Sequence, residues 1–111
     1  MIAVRITMQV VPEKQLEFVQ TVLSILEPTR QEEGCLNCGI FCDIENDGLF
    51  SLLAEWENRE ALEHHIESQR FSVLLGAKIL LRRPPSIQIH AATDLGGMEL
   101  VDTARRRRTH S

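Results

Sequence analysis

Apolar and polar residues alternate along the first ten positions of the chain. This period of two predicts a strand with one buried face. From Pro12 onward the spacing becomes helical, which predicts an amphipathic helix that lies on a sheet, kinked or ended at Pro28 or continuing to Gly34. Its expected inner stripe consists of Leu16, Val19, Leu23 and Leu26, widened by Phe18, Val22 and Ile25.

The second half of the pattern predicts two more strands, two helices and a last strand. Residues 35–45 and 49–56 flank a small polar turn, which is typical of a β-hairpin. Asn58 and Ser68 each precede apolar residues at helical spacing, so each is expected to cap a helix. Alternation returns over residues 86–92 and predicts the fourth strand.

The order of these elements is βαββαβ, which predicts an α+β, ferredoxin-like domain with an antiparallel sheet and helices on one face. We expect residues 1–95 to form this domain and residues 96–111 to be a C-terminal extension. Apolar residues occur at both parities of the second strand, which favours a homodimer through the helix-free faces. In the extension, Met98, Leu100 and Val101 are expected to contact the partner, followed by a disordered arginine-rich tail.

Composition narrows the functional classes. The formal net charge is −4 although residues 105–108 supply four positive charges, so the rest of the chain carries −8. An acidic body argues against nucleic-acid binding. The sequence shows no leader-like start and no long apolar run, so we expect a cytoplasmic protein that does not interact with membranes.

The sequence contains three cysteines, Cys35, Cys38 and Cys42, which fall within the predicted second strand. This position argues against a metal-binding motif. Strand alternation would point Cys38 and Cys42 to one face and Cys35 to the other, so they would not converge on one ion. We therefore expect no metal and no disulfide framework, with the thiols acting as small apolar side chains.

The segment from Gly34 to Phe71, with "EEGCLNCGIF" and "FSLLAEWENREALEHHIESQRF", resembles the antibiotic biosynthesis monooxygenase family. The resemblance implies a dimeric α/β barrel with a cavity between sheet and helices in each subunit. It also implies a quinol monooxygenase-like reaction of a small aromatic molecule with dioxygen, without a metal or flavin cofactor. Trp56 and His65 match family positions that line the cavity, and the resemblance makes them the candidate catalytic residues.

Each candidate has two interpretations at this stage. His65 is either a general base for a phenolic proton or a buried histidine bonded to backbone. Trp56 is either a flat wall with an indole donor or a core anchor. Phe71, Thr7 and Phe50 are the candidate substrate-binding residues, and the first strand lacks the asparagine that haem-degrading relatives use.

The sequence leaves open whether the protein is an enzyme. Besides a cofactor-independent monooxygenase, it is compatible with a non-catalytic dimeric module that binds a small ligand, or with an isomerase or lyase of a small signal molecule. An apolar cavity that reaches Trp56 and His65 would favour the oxygenase. A filled core would favour the binding module, and a polar pocket with several titratable groups would favour the isomerase or lyase.

Overall fold

Four strands and four helices build the chain in this computed structural model, which describes the backbone of residues 1–110 and the side chains of residues 1–108. Two short 3-10 helices lie at Pro12–Lys14 and Ala77–Leu80. The elements in chain order are β1 Ile2–Gln9, α1 Gln15–Arg30, β2 Cys35–Cys42, β3 Leu49–Trp56, α2 Arg59–Ile66, α3 Gln69–Gly76, β4 Ser86–Ala91 and α4 Met98–His110.

The strands form one sheet in the order β2-β3-β1-β4, and every neighbouring pair is antiparallel. Val4 in the centre of the sheet lies opposite Ala54 on one side and Ile89 on the other. Val4, Ala54 and Ile89 therefore lie on the same face of the sheet. The buried residues of α1, α2 and α3 pack against this face. The predicted α+β, ferredoxin-like fold is confirmed.

The buried face of α1 differs from the predicted stripe. Phe18 and Val22 are fully buried, whereas Leu16 and Leu23 are 71% and 54% exposed. Phe18 meets Phe50 with ring centroids 5.0 Å apart, so the aromatic side chain sets the face of the helix that turns inward. Because successive helical residues are about 100° apart, Leu16 and Leu23 then point to the opposite side.

The second strand is shorter than predicted and carries a β-bulge. It ends at Cys42, and the Asp43 carboxylate accepts hydrogen bonds from the backbone of the loop that leads to β3. The register shifts between Cys35 and Asn37, so that Cys35 pairs with Trp56 and Cys38 with Ala54. The prediction that Cys35 faces away from Cys38 is therefore wrong, because one extra residue in the bulge reverses the alternation.

Both predicted helix caps are present. The Asn58 side chain accepts a hydrogen bond from the Ala61 amide at 2.9 Å, and the Ser68 hydroxyl accepts one from the Phe71 amide at 3.3 Å. Gly34 enters β2 with φ +85°, and a Cβ built there would lie 2.5 Å from the Ala61 Cβ. The start of α2 therefore packs directly on a position that only glycine fills without strain.

The C-terminal extension contains a helix where the sequence pattern indicated none. Helix α4 covers Met98–His110 and makes few contacts with the other elements. Met98, Leu100 and Val101 are all about half exposed or more. The Cα radius of gyration is 17.0 Å, larger than the roughly 13 Å of a compact chain of this length. Among residues 1–110, no helix combines the length and apolarity needed to cross a bilayer.

Candidate functional site

Three of the predicted site residues lie together under the helices. The Trp56 and His65 rings stack with centroids 4.7 Å apart and planes inclined by 28°. The Phe71 and His65 rings are in T-shaped contact, with centroids 5.5 Å apart and planes inclined by 80°. Trp56 is 1% exposed and His65 is 8% exposed, so the imidazole lies in a nearly closed aromatic cage.

Local structure fixes the position of His65. Trp56 is the last residue of β3 and ends on the inner face of the sheet. His65 is in the last turn of α2, where the Ser68 hydroxyl donates a hydrogen bond of 2.6 Å to its carbonyl. Because Ser68 also caps α3, the two helices meet at this corner and bring Phe71 to the ring.

A carboxylate that the sequence analysis missed completes the group. Glu32 follows α1, and its Oε2 lies 2.7 Å from His65 Nδ1 and 2.8 Å from Arg70 Nε. The Glu32 side chain is 6% exposed, compared with 36% for Arg70. Burial by itself would raise the pKa of Glu32, but the hydrogen bonds from Arg70 and His65 outweigh it and hold that pKa below its ordinary value.

The ionised carboxylate determines the chemistry of the imidazole. A carboxylate can only accept hydrogen bonds, so Nδ1 of His65 carries a proton and donates it to Glu32 Oε2. A neutral ring in this arrangement would present Nε2 as a hydrogen-bond acceptor.

The space beside these rings is small. A cavity of about 20 Å³ lies between the sheet and the helices, lined by Trp56, His65, Phe71 and apolar side chains. A second cavity of about 40 Å³ opens between α3 and β4, and Phe71 and Leu74 line both. Cys38 also lines the first cavity, where burial raises its pKa to about 11 and keeps the thiol protonated at neutral pH.

Comparison with known proteins agrees with this architecture. The family model for antibiotic biosynthesis monooxygenases matches residues 1–74, about two thirds of the chain. The chain belongs to the antibiotic biosynthesis monooxygenase family.

Relatives of this family member come from several microbes. It is 31% identical over 83 residues to protein sll1783 of Synechocystis sp., matching 74% of this chain and 56% of that protein. The chain therefore spans just over half of that relative's length. It is 29% identical over 85 residues to YcnE of Bacillus subtilis, named as a proposed monooxygenase, with 76% and 90% of the two chains covered.

A solved structure shows the same fold at comparable identity. The crystal structure of a conserved protein from Methanosarcina mazei Go1 superposes with a TM-score of 0.79 and 32% identity. The match covers 83% of this chain and 92% of the other. The crystal structure of an antibiotic biosynthesis monooxygenase superposes with a TM-score of 0.78 at 25% identity over 85% of this chain and all of the other, so the ferredoxin-like core described above is also found in a solved member of the family.

Two predicted substrate-binding residues of this family member lie away from the imidazole. Phe50 is on the same sheet face as Trp56 but at the other end of β3, against Phe18. Thr7 pairs with Ser51 and Ser86, at positions that point to the helix-free face. The structure therefore brings Trp56, His65 and Phe71 together and leaves Phe50 and Thr7 outside the group.

Glu32 did have a signal in the sequence. Val22, Ile25 and Thr29 are buried on α1, and Glu32 continues that line at a spacing of three residues. An acidic residue in line with a buried helix face is expected to have a hydrogen-bonding or charged partner, because burying an unpaired charge is unfavourable. The signal was missed because the predicted stripe of α1, although it included Val22 and Ile25, was centred near Leu16 and Leu23, which are exposed.

Proposed function

We propose that this family member is a cofactor-independent monooxygenase that oxidises a small aromatic or quinol substrate with dioxygen. The observation that carries the proposal is the arrangement of His65, with Nδ1 hydrogen-bonded to a carboxylate and the ring in contact with both Trp56 and Phe71. His65 is the general base, Trp56 is the aromatic wall, and Phe71 contacts the substrate.

The reaction needs a proton acceptor more than a metal. Removal of a phenolic proton gives an electron-rich anion that can transfer an electron to dioxygen. For a hydroquinone, one oxygen atom of dioxygen becomes bonded to a ring carbon and the other is released as water. The quinol supplies the electrons, and the product is a hydroxyquinone. An imidazole with an acceptor nitrogen is suited to the first step near neutral pH.

Substrate entry requires a movement of α3. Cavities of about 20 and 40 Å³ are far below the roughly 300 Å³ of a small ligand pocket. Ile6 on β1 and Phe71 and Leu74 on α3 line both cavities, so displacement of the two α3 side chains would widen the space beside His65. Phe50 and Thr7 have no part in this proposal because they lie outside that space.

Oxygen uptake tests the proposed function. We expect the purified protein to consume dioxygen with at least one member of a panel of hydroquinones and naphthols, well above the rate of autoxidation in buffer. When the reaction is run with isotopically labelled dioxygen, mass spectrometry should find one labelled oxygen atom attached to the ring of the product. Consumption no faster than buffer across the panel would remove the support for an oxygenase.

The closed cavity is the observation that favours a second candidate. A non-catalytic dimeric module would keep Trp56 and His65 as a packed core, as their low exposure allows. The two functions differ in one result: the binding module would bind aromatic ligands with no turnover and no isotope incorporation.

We also propose that the protein is a homodimer through its helix-free sheet faces. Phe41 and Leu53 on this face are 56% and 40% exposed, and they border a cleft of about 330 Å³. The apolar residues of α4 are available to contact the partner.

We expect twice the chain mass of 12.6 kDa in light scattering at micromolar concentration. Replacement of Phe41 and Leu53 by aspartate should give a monomer, and a monomeric wild type would refute the proposal.

A further inference from the structure

We propose that Glu32, held by Arg70, is a positioning residue that decides which nitrogen of His65 carries the proton. The inference rests on the proposed function for its catalytic consequence, but the arrangement can be tested in the resting protein. Glu32 itself has no role on the substrate in this proposal. It acts through the imidazole.

Three separate segments converge on one oxygen atom. Glu32 comes from the turn after α1, His65 from the end of α2 and Arg70 from α3. Oε2 of Glu32 accepts from His65 Nδ1 at 2.7 Å and from Arg70 Nε at 2.8 Å. Charge-assisted hydrogen bonds of this length are among the stronger contacts in a protein and define side-chain orientation.

Arg70 compensates the charge of the Glu32 carboxylate. A buried carboxylate alone beside His65 would favour the doubly protonated ring, which has no acceptor nitrogen left. The guanidinium supplies the compensating charge, so the carboxylate can orient the ring without forcing a second proton onto it. The Cys35 and Cys38 thiols on β2 also interact electrostatically with Glu32, and Arg30 on α1 acts on the same two thiols.

The second oxygen of the carboxylate supports a role beyond structure. Oε1 of Glu32 is buried and accepts no hydrogen bond from the described residues. An unpaired buried acceptor costs free energy, so an ion-pair network optimised for stability alone would be expected to use both oxygens. Here both donors are directed to Oε2, the oxygen that faces the ring nitrogen.

The tautomer of His65 is the first readout. In histidine-labelled protein, long-range proton–nitrogen correlation spectra distinguish a ring protonated at Nδ1 from one protonated at Nε2. We expect wild type to show the Nδ1-protonated form, and Glu32→Gln to show a mixture or the other tautomer. A purely structural salt bridge would change stability without changing the populations.

The pH titration of the same ring is the second readout, and it separates the two partners. Glu32→Gln removes the negative charge, so the ring should take up its second proton at lower pH than in wild type. Arg70→Gln leaves the carboxylate uncompensated, so the second proton should bind at higher pH. Each shift is expected to reach about one pH unit, the low end for a neighbouring charge.

Arg59→Gln is the matched control. Arg59 forms an ion pair with Glu63 of the same length, 2.8 Å, but both side chains are exposed. This variant should leave the His65 titration and tautomer unchanged. If Glu32→Gln does not fold, Arg70→Gln carries the test, since the Arg70 side chain is more than a third exposed.

Three results would overturn the proposal. These are an unchanged tautomer in folded Glu32→Gln, shifts of the same sign in the two variants, and no shift in Arg70→Gln. Because none of these measurements needs turnover, they fail independently of the oxygenase assay. If oxygenase activity is found, the acidic limb of its pH profile should move in the same two directions as the titration.

Discussion

Replacing His65 with asparagine is expected to lower the rate of oxygen consumption by roughly 100- to 10,000-fold, the usual contribution of a general base. The asparagine amide can place an N–H group near the position of Nδ1, so the hydrogen bond to Glu32 can persist. The acceptor nitrogen that removes the substrate proton is lost. Turnover is measured with an oxygen electrode, and folding is checked by circular dichroism.

His64→Asn is the matched control for this prediction. His64 precedes His65 on α2, but its side chain is exposed and turns away from Trp56. Its replacement should leave turnover unchanged. Full activity in His65→Asn would place the base elsewhere. Alanine at position 65 is a poorer choice, because it removes the Nδ1 donor to the Glu32 carboxylate, and a buried acceptor that loses its donor costs about 1–3 kcal/mol.

Replacing Trp56 with alanine should reduce the free energy of unfolding by about 3–5 kcal/mol, as for other buried aromatic side chains. Trp56 is among the largest fully buried side chains, stacks on His65 and pairs across the sheet with Ile2 and Cys35. A domain of this size is stabilised by only about 5–15 kcal/mol, so the variant should unfold at much lower urea concentration.

Two further variants calibrate the Trp56 measurement. Trp56→Phe keeps an aromatic wall and should lose less stability and less turnover than Trp56→Ala. Ile79→Ala removes an apolar side chain that is 81% exposed, and should change the unfolding free energy by no more than about 0.5 kcal/mol. A Trp56→Ala variant as stable as Ile79→Ala would contradict the packing described for the aromatic cage.

Strong periodicity and local caps made most of the fold predictable. Strand β1 follows from the alternation of adjacent residues, and the caps formed by Asn58 and Ser68 involve residues only three positions away. The structure places these elements where the pattern indicated. The grouping of Trp56, His65 and Phe71 was predictable because the family resemblance and the inner faces of β3, α2 and α3 pointed to the same positions.

Features set by packing between distant residues were not predictable in this way. The orientation of α1 depends on the contact of Phe18 with Phe50, which lies 32 residues away in the sequence. The β-bulge after Cys35 is visible only in the pairing with β3. The hydrogen bond between Glu32 and His65 likewise joins residues 33 positions apart in the sequence.

The sheet order has a consequence for how the chain folds during synthesis. Strand β1 is made first but lies in the interior of the sheet, between β3 and β4. One of its edges therefore stays unpaired until residue 91 has left the ribosome. Non-local pairing of this kind slows folding. Because an unpaired edge can template association with another chain, nascent chains shorter than this length are the stage at which aggregation is most expected.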